Sequence, residues 1–184
     1  MKKLIAVTSA AVVAVAALTV WAAELESGLK VGEAPGAYNV KDITGPNKGK
    51  SLCYRCNYGA RPVVNVFARE VNDELAKLIK EVDGVVEKNK DKKMAAFLVV
   101  LAEDADALAP KLEAMAKKNG IKNVPLTIFD GESGPGDYNI AKDADVTVLM
   151  WNKSEVKANT ALAKGKLDDK SIKAIIANTE TILK

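Results

Sequence analysis

Two almost wholly apolar runs, residues 63–68 and 94–101, flank a stretch with helical periodicity. A strand buried on both faces reads as such a run, and two parallel strands need a crossover, usually a helix. Between the runs Val71, Leu75, Leu78, Ile79, Val82 and Val86 fall on one helical face, and acids precede lysines along it. Asn72 or Asp73 stands where a cap belongs. A buried strand, a helix and a second buried strand make a parallel unit, which commits the chain to an α/β architecture.

The rest of the chain extends that unit. Residues 37–43 read as a short strand and residues 44–50 as a turn rich in Gly, Pro and Asn. Glu103 and Asp104 lead into a second helix with Leu108, Leu112 and Met115 on one face, Gly120 as its stop, and Pro110 marking its start or a kink. Residues 124–129 form a short strand. Residues 146–151 and 155–161 form a hairpin about the turn at 152–154. Asp168 or Asp169 caps a last helix carrying Ile172, Ile175, Ile176, Ile182 and Leu183. The order predicts an α/β sandwich with a mixed sheet and helices on both faces.

At the N-terminus, Lys2 and Lys3 precede an apolar stretch over residues 4–20, with Ala22 and Ala23 as small residues for cleavage. This reads as a secretory signal peptide over residues 1–22. An uncleaved anchor is the alternative, since residues 4–23 are long enough to span a bilayer. No cysteine follows the run, so a lipid-attached start is not supported. An N-terminal arm, residues 23–36, and one domain, residues 37–184, complete the organisation. Without Lys2 and Lys3 the 27 basic residues fall to 25 against 24 acidic ones. That balance gives no case for nucleic acid or an acidic membrane surface as partner.

The chain has no histidine and two cysteines, in Cys53-Tyr54-Arg55-Cys56. Behind an export signal such a pair is a disulfide or a working redox pair. As a dithiol it would have Lys50, Arg55 and Arg61 nearby to favour thiolate. As a permanent disulfide it would pin an irregular loop, with modest entropic benefit because the ring is short. As a metal site it would need two more ligands from elsewhere. Asn57 breaks the haem-attachment pattern, and nothing else calls for a cofactor. Tyr54 and Tyr58 either offer a docking surface or cover the disulfide. Arg69 and Glu70 read as a solvated ion pair and Trp151 as core. Asp137, Asp143 and Asp145 lack the glycine and terminal glutamate of a calcium loop and read as solvated acids.

Several strings, taken in order, resemble the thioredoxin-like superfamily, redoxin branch, which includes peroxiredoxins and exported thioredoxin-like proteins. Leu29-Lys30-Val31-Gly32-Glu33-Ala34-Pro35 resembles the redoxin opening, and Asn39-Val40-Lys41-Asp42-Ile43-Thr44-Gly45 the next strand and turn. Arg61-Pro62-Val63-Val64-Asn65-Val66-Phe67-Ala68 resembles the central strand. Phe129-Asp130-Gly131 through Asp137-Tyr138-Asn139-Ile140 resembles the loop and helical turn before the hairpin. The resemblance implies a thioredoxin-like three-layer sandwich and a thiol–disulfide oxidoreductase, in the periplasm or outside, acting on a disulfide- or thiol-bearing protein partner. By that analogy Cys53 attacks and Cys56 resolves.

Two departures qualify the implied activity. The family's two cysteine positions, after the central strand, fall on Val71 and Glu74, and its cis-proline on Val146. The pair here precedes the strand instead. A six-residue strand is about 20 Å long, so the pair is expected near the opposite end of the sheet unless its loop folds back. A non-enzymatic binding or structural module, with Cys53–Cys56 as a structural disulfide, is therefore the alternative reading.

Overall fold

A computed structural model describes residues 25–184. The signal-peptide expectation for residues 1–22 lies outside the described residues. Seven strands form one mixed sheet: β1 (Val40–Asp42), β2 (Ser51–Leu52), β3 (Val63–Ala68), β4 (Ala95–Ala102), β5 (Leu126–Asp130), β6 (Ala144–Asn152) and β7 (Glu155–Ala163), in spatial order β2-β1-β5-β4-β3-β6-β7. The helices are α1 (Tyr54–Tyr58), α2 (Asp73–Lys88), α3 (Ala105–Asn119), α4 (Asp169–Asn178) and α5 (Glu180–Leu183).

The parallel unit forms as the pattern requires. β3 and β4 run parallel from Val63↔Ala95 to Ala68↔Val100, and every residue of both is buried. β5 continues the parallel set beside β4, whereas β6 runs antiparallel to β3 and turns back into β7. The hairpin turn is made by Lys153 and Ser154, both at positive φ.

Helix starts follow the capping chemistry of their sequences. Asn72 Oδ1 accepts the Leu75 amide at 2.9 Å, and Asp168 with Ser171 closes a reciprocal capping box. α3 starts at Ala105 with Asp104 as its cap, so Pro110 lies inside it, exposed, rather than at its start. The last helix divides at Thr179 into α4 and α5. The buried Asp83 carboxylate on α2 accepts the amides of Lys122, Asn123 and Val124, tying the loop before β5 to that helix.

The two sheet faces are covered differently, because successive β3 residues point to opposite sides. Val64, Val66 and Ala68 join α2, α3, α4 and α5 in one aliphatic core. Val63 and Phe67 face the other side, under α1, the arm and a 3₁₀ turn at Gly136–Tyr138. All eight aromatic residues between 25 and 184 gather on that second face, Trp151 fully buried among them. The arm from Leu25 onward is fastened to the hairpin: Ser27 Oγ is 2.7 Å from Thr147 Oγ1, and Asn159 donates to the carbonyls of Ser27 and Leu29.

Candidate functional site

Cys53 and Cys56 are joined by a disulfide, Cα to Cα 5.2 Å, at the start of α1. α1 ends at Gly59, in a conformation with positive φ, just before β3 begins at Val63. The start of β3 lies opposite Trp151, and the Lys153 amide of the hairpin turn bonds the Ala60 carbonyl. The Val40↔Leu52 pairing carries through β5 to Leu101 of β4, one position beyond the level of Ala68 in β3, so the disulfide follows β2 toward the C-terminal ends of the parallel strands. The expected place near the start of β3 is not met because the segment folds back, and α1 leads from the disulfide to that start.

Cys56 is exposed and Cys53 half-buried. Cys53 is itself the cap of α1: the Cys56 amide donates to Cys53 Sγ at 3.0 Å. Tyr54 is buried and Tyr58 half-buried, both packed toward the sheet. Their rings lie 5.3 Å apart, and Tyr54 stacks on Phe97 at 5.5 Å, so they root α1 in the aromatic core. Two of the nearby cations have partners of their own. Arg55 Nε donates to the Pro35 carbonyl at 2.9 Å, which fastens α1 to the arm, and Arg61 lies near enough to Tyr58 to favour phenolate.

One residue overlooked by pattern reading fixes this segment. Asp42, with none of its surface exposed, accepts the amides of Gly45 and Asn47 at 2.7 and 2.8 Å and the Tyr54 hydroxyl at 2.7 Å. The carboxylate thus joins β1, the following turn and the residue after Cys53. Burial, and then the adjacent Asp42 carboxylate, push the Tyr54 phenol far above its ordinary pKa. Gly45 is required here: a Cβ would stand 2.5 Å from the Tyr54 hydroxyl and 2.6 Å from the carboxylate. The only sequence sign is an Asp three residues before a Gly in a turn.

The positions just after β3 and at the start of β6 hold no thiol. Val71 packs half-buried against the aliphatic core, Glu74 is exposed in the first turn of α2, and Val146 is buried opposite Ala68 after a trans peptide bond. Arg69 and Glu70 do not pair with one another. The Arg69 guanidinium donates to the carbonyls of Ala144, Glu132 and Ala141 at 2.9, 2.7 and 2.9 Å, while Glu70 pairs with Lys164. Arg69 closes this end by gathering the chain before β6. Arg69→Ala is expected to cost about 2–4 kcal/mol in urea unfolding, since hydrogen bonds from a charged donor are the strong ones. Arg69→Lys should recover less than half, because one ammonium lacks the fork that spans three carbonyls.

Neither a family model nor a curated protein matches the sequence. Solved structures do match. A protein disulfide isomerase candidate from Bacteroides thetaiotaomicron superposes with a TM-score of 0.62 at 16% identity, over 86% of this chain and 94% of the other. The peroxidoxin BcpB from Mycobacterium tuberculosis gives 0.58 at 15% identity, over 84% and 98%. The chain has a thioredoxin-like fold. The thioredoxin domain of a thiol-disulfide oxidoreductase from Bacteroides vulgatus agrees, at 0.52 and 11% identity over 80% and 99%. In this thioredoxin-like sheet β4 is the middle strand, β3 stands between β4 and β6, and β6–β7 is the closing hairpin. Among the described residues no helix is long and apolar enough to cross a membrane.

Proposed function

We propose that this chain is an exported thiol–disulfide oxidoreductase whose working pair is Cys53–Cys56, carried where β2 runs into α1. The observation that carries the reading is the accessible disulfide on a helical cap. Cys56 is exposed, and Cys53 Sγ already holds an amide hydrogen bond. A thiolate formed at Cys53 would keep that donor, and thiolate stability governs exchange. The fold shared with oxidoreductases supports the class, and the basic, apolar N-terminus supports export.

A second reading has its own support. Val71, Glu74 and Val146 occupy the family's functional positions, and Arg69 seals that end. A fold whose site is gone supplies no chemistry, and the disulfide would then be a staple for a binding module. The reduction potential separates the two. Equilibration of residues 23–184 in defined thiol buffers, with free thiols trapped for mass spectrometry, is expected to give between about −120 and −270 mV. A value below about −300 mV marks a staple and removes the exchange reading. Disulfide-exchange activity should fall to background in the Cys53→Ser, Cys56→Ser double variant. Undiminished activity there would equally exclude the pair.

A further inference from the structure

We propose that the mixed disulfide with a partner protein forms on Cys56 and that Cys53 is the resolving thiol. This rests on the exchange reading above and inverts the order that the resemblance implies. Two independent features assign the roles. The first is access: Cys56 is exposed at the surface of α1, whereas Cys53 is half-buried where β2 runs into the helix. The second is leaving-group stability. The Cys56 amide donates to Cys53 Sγ at 3.0 Å, and nothing in the described hydrogen bonds does the same for Cys56 Sγ. Exchange is faster when the attacked sulfur is open and the expelled sulfur is the better thiolate. Both conditions choose the same direction of attack.

The steps balance without an outside oxidant. A thiolate of a partner dithiol attacks Cys56 Sγ, forming a new S–S bond as the Cys53–Cys56 bond breaks. The electron pair leaves on Cys53 Sγ, held by the Cys56 N–H. The partner's second thiolate then attacks its own sulfur of the mixed disulfide and releases Cys56 as thiolate. The partner loses two electrons and two protons, and the pair gains both. In the reverse direction Cys56 attacks a partner disulfide and Cys53 resolves it. Arg55 takes no part, since it is held on the Pro35 carbonyl. Tyr54, between the two sulfurs in sequence, keeps the ring seated through Asp42.

The experiment uses the oxidised protein and glutathione as the attacking thiol, with rapid acid quench and peptide mapping of the adduct. The expected adduct is on Cys56. An adduct on Cys53 overturns the assignment while leaving the exchange reading intact. Failure of both cysteines to react faster than an unfolded control peptide overturns both.

Discussion

Raising the pH above about 10 is expected to unfold this protein within about one to three units, in a single cooperative step. All four tyrosines of the chain, Tyr38, Tyr54, Tyr58 and Tyr138, are held above their ordinary pKa, each foremost by burial. The neighbouring Tyr138 adds to the effect at Tyr38, and Asp42 adds to it at Tyr54. The hydrogen bond to Asn65 opposes it at Tyr38, Arg61 at Tyr58 and Arg55 at Tyr138. The sign follows from proton binding. The unfolded chain ionises its tyrosines near pH 10, while the folded one keeps them neutral. Their contribution is complete below pH 10 and lost as pH rises above it. Each tyrosine removes up to about 1.4 kcal/mol per unit, and four together about 5, against a typical net stability of 5–15 kcal/mol. Tyrosinate absorbance and far-ultraviolet circular dichroism should therefore change together. Four independent titrations near pH 10 with the dichroism intact would show that the aromatic face is open to solvent.

The elements legible in the sequence are those whose signal is local and periodic. Residues 63–68 and 94–101 announce buried parallel strands because nothing polar but Asn65 interrupts them; its Oδ1 accepts the Tyr38 hydroxyl at 2.8 Å, while its buried Nδ2 has no partner among the described residues. Asn72 and Asp168 announce helix starts because their side chains serve amides three residues on. What pattern reading missed is either short or made by distant backbone. α1 has five residues, too few for a period, and its cap is a cysteine, not one of the common capping residues. The carbonyls bound by Arg69 lie 63 to 75 positions further along, and a carbonyl carries no sequence signature. Glu70 is the nearest acid, so a local pairing is the natural reading of Arg69, although its real acceptors are brought over by β6. The level of the cysteine pair was not legible, because chain order puts it before β3 while its height is set by the pairing of β2 with β1. Nor was the direction of Tyr54 and Tyr58, because it depends on Phe97 from β4.

Asp42→Ala is expected to be the most damaging single substitution at the site, lowering stability by about 3–5 kcal/mol although it removes little apolar contact. The alanine would leave the amides of Gly45 and Asn47 and the Tyr54 hydroxyl without their acceptor in a place closed to water. Tyr54→Phe removes one donor and leaves the carboxylate two, so about 1 kcal/mol is expected. The two changes share one network, so their effects should not add: once Asp42 is gone, the Tyr54 hydroxyl is only an unpaired buried donor, and removing it becomes neutral or favourable. Urea midpoints of the two variants and of the double variant measure this coupling directly. The consequence reaches the cysteines because Tyr54 follows Cys53 in the chain and is the main attachment of α1 to β1. With Asp42 removed, the ring between Cys53 and Cys56 stays closed but loses its seat, and amide exchange at residues 53–59 should rise before the β3–β4 core opens. A double variant whose destabilisation equals the sum of the singles would place the anchorage of α1 in the Tyr54–Phe97 stacking alone, with the carboxylate serving only its own turn.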